Sequence, residues 1–271
     1  MTFSLQGVGR SFVGGAGEVA ALSEVSFQVA PGERVVVLGP SGAGKTTLFG
    51  ILNTTLRCTT GSVRFEGADV STLSPRALRA ARRRIGTIFQ QPRLVPSLTA
   101  RQNALLGRVG HWSALGAIEA ALKPRASDLA RADAALEAVG LAHRRQARAD
   151  ELSGGEQQRV AIARVLVQEP TVVLADEPFA SLDPGLAESV GELLLGVASR
   201  GWTLVVTLHD VGIALGGFPR VLGLSRGRLA FDLPVADLRP DMLLRLYGRA
   251  NEGAAASSAH PEGGDVLACA H

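Results

Sequence analysis

Gly39-Pro40-Ser41-Gly42-Ala43-Gly44-Lys45-Thr46 comes directly after the apolar run Val35-Val36-Val37-Leu38, and reading the two together decides the fold. The octapeptide matches G-x-x-x-x-G-K-[ST], a loop that leaves the end of a buried parallel strand and enters a helix whose first N–H groups face an anion. The glycines let the backbone curl so that successive N–H groups nest phosphate oxygens, and Lys45 adds a full charge where β- and γ-phosphates would lie. Thr46 offers a hydroxyl to Mg²⁺, and Thr47 places a second beside it. The alternative for the stretch alone is a Gly-rich turn between strand and helix that binds nothing, and the rest of the chain weighs further against it.

Upstream, Phe3 to Phe12 and Ala21 to Val29 alternate apolar and polar residues around a Gly-rich turn. They are expected to be antiparallel strands lying beside the nucleotide strand. Phe12 is the one aromatic placed to stack on an adenine, and it is equally an ordinary core residue. Downstream, a helix is expected from Lys45 to about Leu52, then a short strand and turn over 61–69. Arg76, Arg79, Arg82, Arg83 and Arg84 crowd one helical segment and are expected to form a solvated face. A β-like run, 85–89, ends in Gln90-Gln91-Pro92, where a Gln amide oxygen serves either a metal or water, or merely a turn.

From Pro92 the pattern becomes Ala/Leu-rich with helical periodicity, which predicts a helical insert over about 92–168. Its stretch Ala104 to Ala117, with Trp112 and Leu115, is expected to offer an apolar docking patch. Leu152-Ser153-Gly154-Gly155-Glu156 then opens a helix to about Gln168. Ser153 with Glu156 reads as a capping box, while Gly154 and Gly155 leave a helix N-terminus uncovered, which suits a phosphate. Local sequence supports both readings.

Thr171-Val172-Val173-Leu174-Ala175 reads as a strand buried on both faces, ending in Asp176-Glu177-Pro178. Two adjacent acids at the mouth of a central strand are costly unless a positive group faces them, and Mg²⁺ on a nucleotide meets that need. Asp176 would then hold the metal and Glu177 would polarise the attacking water. Ser181-Leu182-Asp183-Pro184 comes next as a turn and N-cap, then a helix over 186–198 and a buried strand over 202–208. That strand ends at His209, on the edge shared by the phosphate loop and the acid pair, within reach of a γ-phosphate. A terminal hairpin turns at Arg226-Gly227, a helix occupies about 240–247, and 251–271 is expected to be a disordered tail.

The 271 residues are 46% hydrophobic, enough for one large α/β domain with an insert. A net charge of +3 and pI near 9.4 suit anionic ligands without requiring them. Cys58 and Cys269, the two cysteines, lack CxxC spacing, which argues against a disulfide framework or zinc site and for a reducing compartment. No apolar run approaches the ~18 residues that span a bilayer, so any membrane role is expected to be peripheral, through a partner.

In this order the motifs resemble the nucleotide-binding subunit of ATP-binding-cassette transporters over about residues 3–250. The resemblance implies a P-loop NTPase (RecA-like) α/β core with an antiparallel β subdomain and an inserted α-helical subdomain. It also makes 39–46 the phosphate loop, Gln90 the Q-loop residue and metal contact, 152–156 the signature, and 172–177 the Walker B strand. Asp183 becomes the D-loop acid, His209 the switch histidine, and Phe12 the adenine-stacking residue, where Tyr is commoner. Glu156 stands where many members have Gln.

The same resemblance implies a head-to-tail homodimer sandwiching two ATP, each phosphate loop facing the other subunit's Ser153-Gly154-Gly155. It further implies integral-membrane permease partners, a substrate-binding protein, and a peripheral place on the cytoplasmic side of the inner membrane. No nucleic-acid partner is expected. The stretches 53–57, 104–110, 206–211 and 244–248 are similar to phosphonate-importer ATPases, although Cys58 to Thr60 depart from the expected Pro-Thr-Ser. An exporter or lipoprotein-release ATPase shares every catalytic residue, and a cassette acting on nucleic acid or ribosomes is a more distant alternative.

Overall fold

The computed structural model describes residues 1–14, 17–113, 116, 119, 123–179, 182, 184–198, 201–209, 212 and 216–257. Among them, ten strands form two sheets. The larger has the order β10-β9-β3-β8-β7-β6, built from β3 (Arg34–Leu38), β6 (Ile85–Ile88), β7 (Val172–Asp176), β8 (Thr203–Leu208), β9 (Arg220–Ser225) and β10 (Arg228–Pro234). All of its pairings are parallel except the β9–β10 hairpin at the edge. The smaller sheet, β2-β1-β4-β5, is antiparallel and comprises β1 (Phe3–Gly14), β2 (Gly17–Val29), β4 (Thr60–Phe65) and β5 (Ala68–Asp69).

β1 and β2 were expected beside the nucleotide strand; instead they belong to this separate sheet. Both hydrogen-bonding edges of β3 are already taken by β8 and β9. Contact with β1 and β2 is made face to face. Val35 and Val37 point into a core shared with Phe3, Leu5, Val25 and the helix α1 (Lys45–Leu52), while Val36 and Leu38 point into the opposite core. A strand covered on both faces is continuously apolar, as 35–38 is.

The opposite core packs the sheet against α3 (Ala100–Leu105), α4 (Ala126–Ala138), α5 (Gly154–Gln168) and α6 (Pro184–Ala198). Between β6 and β7 the regular elements among the described residues are α3, α4, α5 and short 3₁₀ turns, in line with the Ala/Leu periodicity. Trp112, expected in an apolar docking patch, is half-buried against this core, and its carbonyl accepts a hydrogen bond of 2.6 Å from Arg79. Leu115 lies outside the described residues.

The arginines of α2 (Pro75–Arg84) are not simply a solvated face. Arg82 donates to the hydroxyl and carbonyl of Thr54, Arg79 to the carbonyl of Trp112, and Arg84 pairs with Glu66 at 2.5 Å. These contacts fasten α2 to the end of α1, to the insert and to the antiparallel sheet. The guanidinium fork reaches carbonyls that a shorter side chain would miss.

The last helix, α7 (Pro240–Ser257), continues past Tyr247 into the stretch expected to be disordered. Its extension carries Ala254-Ala255-Ala256, which read as low complexity by composition but are strong helix formers. Residues 258–271 lie outside the described residues.

Candidate active site

Because β3, β7 and β8 run parallel and in register, with Leu38 opposite Leu208 and Asp176 opposite Thr207, their C-terminal ends converge on one edge. The loop 39–44 leaves β3 there. Gly39 has no room for a side chain, since a Cβ would stand 2.2 Å from the Leu224 carbonyl oxygen. Gly44 caps α1 at φ 101°, a left-handed conformation that favours glycine, and a Cβ would meet the Ala21 carbonyl at 2.6 Å. The hairpin turn supports the loop from beside it, Gly227 N–H donating to the Ala43 carbonyl at 2.9 Å.

Lys45 begins α1 only 5% exposed. Its Nζ donates to the carbonyls of Gly39 (2.7 Å) and Pro40 (3.1 Å) and lies 3.3 Å from Oε1 of Glu177. Ser41 and Thr46 are exposed beside it, and Thr47 is half-buried. Buried at the end of β7, Asp176 accepts at Oδ1 from the Thr207 hydroxyl at 2.5 Å. Burial pushes its carboxyl above the usual range and the neighbouring Glu177 charge adds to this, against hydrogen bonds from Thr207 and Thr46 and the charge of Lys45.

Glu177, one residue on, sits at φ 44°. A glutamate in this region is strained and persists only where its surroundings hold it. Its N–H donates to both the carbonyl (3.1 Å) and the hydroxyl (3.0 Å) of Thr207. Its Oε2 lies 3.8 Å from Nδ1 of His209, which is largely exposed. Gln90, Glu177 and His209 line one cavity of about 890 Å³, with Phe179 and Leu208 on its apolar side. Gln91 is not among its lining residues.

The geometry thus gathers Lys45, Thr46, Asp176, Glu177, His209 and Gln90 on one edge. Ser153 behaves as an N-cap: its Oγ accepts from Glu156 N–H at 3.3 Å while Glu156 returns bonds to Ser153. Among the described residues, no hydrogen bond or ion pair joins 153–155 to 39–47. Phe12 stands on β1, partly exposed, with the Arg10 guanidinium 4.7 Å from its ring centre. Asp183 and Ser181 lie outside the described residues.

Thr207 escaped the sequence reading. One signal for it exists: a hydroxyl residue near the end of the otherwise apolar run Leu204-Val205-Val206, directly opposite an acid.

A glycine-rich phosphate cradle, a buried lysine, and paired acids at the end of β7, one strand beyond the neighbouring β8, define a P-loop ATPase of the cassette type. The chain belongs to the ABC transporter family, whose model matches residues 22–180. It is 45% identical over 269 residues to a "Phosphonates import ATP-binding protein PhnC" of Anaeromyxobacter dehalogenans, covering 98% of this chain and 52% of that one. The chain therefore spans about half the length of that relative. Proteins of the same name from Rhodopseudomonas palustris HaA2 (41%, covering 92% of this chain and 90% of that one) and Pseudomonas aeruginosa PAO1 (41%, 97% and 96%) match nearly end to end.

Among solved structures, the dimeric ATP-binding cassette MJ0796 in a post-hydrolysis state with ADP and Pi aligns with a TM-score of 0.76. It is 32% identical, covering 86% of this chain and 98% of that one. The cassette cbiO1 of Clostridium perfringens aligns at 0.75 with 27% identity, over 90% of this chain and 93% of that one. Among the described residues, no helix is long and apolar enough to cross a membrane.

Proposed function

We propose that this chain is the ATPase subunit of a phosphonate importer, working as a homodimer beneath a membrane permease that is served by a substrate-binding protein. The observation that carries the ATPase half is Lys45 and Glu177 meeting at the mouth of β3 and β7. Near end-to-end similarity to phosphonate import ATP-binding proteins supports the cargo. Peripheral placement on the cytoplasmic face of the inner membrane accords with that role.

In this reading the backbone N–H groups of 41–46 and Lys45 hold the β- and γ-phosphates. Thr46 and Asp176, hard oxygen donors side by side, fit a Mg²⁺ ion, with Gln90 reaching in from β6. When bound, the metal supplies neutralising charge at the phosphate oxygens. Glu177 polarises the attacking water and His209 contacts the γ-phosphate from the adjoining strand end. Phe12 takes the adenine, and Asp183 joins the seam between subunits.

Ser153, Gly154 and Gly155 serve the partner's nucleotide, a reading supported by the start of α5 making no hydrogen bond or ion pair with 39–47 among the described residues. ATP closes that seam and hydrolysis reopens it, an ordered two-state element biased by the γ-phosphate. The unit doing this spans residues 3–250, with the helical insert at about 92–168.

Growth tests the cargo. A strain lacking this gene is expected to lose growth on 2-aminoethylphosphonate as sole phosphorus source while growing normally on phosphate. Equal growth on both would overturn the assignment.

A further inference from the structure

Thr207 touches both acids of the pair. It lies on β8, 3% exposed, facing Asp176 across the parallel β7–β8 pair. Its hydroxyl has a single proton, and the 2.5 Å contact to Oδ1 of Asp176 takes it, because an ionised carboxylate can only accept. The oxygen lone pairs are then free to accept the Glu177 N–H at 3.0 Å. One chain of bonds therefore runs from Glu177 N–H through Thr207 Oγ1–H to Asp176 Oδ1. A second acceptor, the Thr207 carbonyl at 3.1 Å, shares the same N–H.

This chain of bonds fixes two things. The turn that throws the Glu177 side chain toward Lys45 is a left-handed one at φ 44°, and Thr207 supplies two acceptors that hold it. Asp176 is also fixed in rotation, with Oδ1 occupied inside the sheet. Two residues further along, the same strand end presents His209.

The geometry points to Thr207 as the positioning residue of the ATPase, its hydroxyl aligning the metal-holding acid and the water-polarising acid as one unit. This rests on the proposed roles of Asp176 and Glu177. Valine matches threonine in shape but has no hydroxyl, whereas serine keeps the hydroxyl and loses a methyl.

The experiment uses the full chain. Thr207→Val is expected to lower kcat for ATP hydrolysis by about 10- to 100-fold, the range for one lost hydrogen bond to a charged group. KM for ATP should change by less than about threefold, and the Mg²⁺ concentration for half-maximal activity should rise. Thr207→Ser should stay within about threefold of the parent in kcat. Binding of a fluorescent ATP analogue without Mg²⁺ should be unchanged in both, which separates alignment from loss of the fold. If the valine chain does not fold, Thr207→Ala, which leaves space for water beside Asp176, takes its place against serine.

A valine chain with parental kcat and parental Mg²⁺ dependence would overturn the proposal, as would a serine chain as impaired as the valine one. Glu177→Gln separates this failure from failure of the underlying reading. A silent Thr207→Val beside an inactive Glu177→Gln sinks only the alignment role, while a fully active Glu177→Gln removes Glu177 as the base.

Discussion

The Nζ of Lys45 stands 3.3 Å from Oε1 of Glu177 while donating to the Gly39 and Pro40 carbonyls, so one ammonium ties the phosphate loop to the acid two strands away. Removing it deletes a buried cation that the loop's own carbonyls have already desolvated. Lys45→Ala is expected to lose ATP binding by at least ~100-fold, as losing a charge-assisted contact in a desolvated site does. Titration with a fluorescent ATP analogue checks this, and unchanged affinity would take the loop out of the site. Glu177→Gln should behave differently. It keeps the shape and a weaker contact to Lys45, so it should bind ATP, hydrolyse it at least ~100-fold more slowly, and elute as a dimer when loaded, because the charge proposed to polarise the water is gone while the binding groups remain.

Asp176 sets a pH signature. Its folded carboxyl titrates above its unfolded value, chiefly through burial, so the folded state favours the protonated form. The stabilising contribution of that proton is complete below the unfolded carboxylate pKa and is lost as pH rises through the folded one. At neutral pH the ionised carboxylate therefore costs stability. Asp176→Asn is expected to raise Tm at pH 7 by a few degrees, the effect of about 1 kcal/mol in a chain of this size. The advantage should shrink toward about pH 4, near the ordinary carboxylate range, and Mg²⁺-ATP should stabilise the Asn chain less than the parent. Thermal unfolding across pH decides it; an Asn chain less stable at pH 7 would contradict the sign.

Adjacent glycines at the start of α5 separate packing from binding. A Cβ on Gly155 would lie 1.9 Å from Cδ2 of Leu186, so Gly155→Ala must displace that half-buried side chain where α5 meets α6 and should destabilise the fold by about 1 kcal/mol. A Cβ on Gly154 meets nothing within 4 Å. As a helix position it should accept alanine with no loss of stability. If Gly154 approaches a nucleotide held by the second subunit, Gly154→Ala should nonetheless lower ATPase activity at least ~10-fold, as a small misplacement at a phosphate contact does, and weaken the ATP-loaded dimer of the Glu177→Gln chain. Normal turnover and normal dimerisation would mean that this helix start is only a cap.

Most of the site was legible because its chemistry demands particular residues at fixed spacing. The loop 39–46 needs glycine where Leu224 and Ala21 crowd it, and Asp176-Glu177 needs to follow a strand with no solvent face. What stayed hidden depended on partners distant in sequence. The sheet to which β1 and β2 belong was decided by β8 and β9 occupying the edges of β3, and nothing in 3–29 records that. The α2 arginines looked like surface because their acceptors, Thr54, Trp112 and Glu66, come from three other segments. Thr207 was half-hidden for the same reason: a hydroxyl near the end of an apolar run shows in the sequence, but the register that sets it opposite Asp176 does not.

Tyr247 is a last case of this kind. Its hydroxyl donates to the His209 carbonyl at 3.0 Å, so α7 reaches back to the strand end that carries His209. Leu246 beside it is buried in the helical-side core, which fixes where the ring can lie. Tyr247→Phe removes only the hydroxyl. Stability should fall by no more than about 0.5–1.5 kcal/mol, the net value of one hydrogen bond. Without that tether the backbone at His209 has one anchor fewer, so kcat should drop about two- to tenfold with KM for ATP unchanged, the pattern of a contact that matters in the transition state. In the His209→Ala background the same substitution should have no further effect on kcat. Additive losses in the double variant would show that α7 acts on the fold as a whole and not through His209.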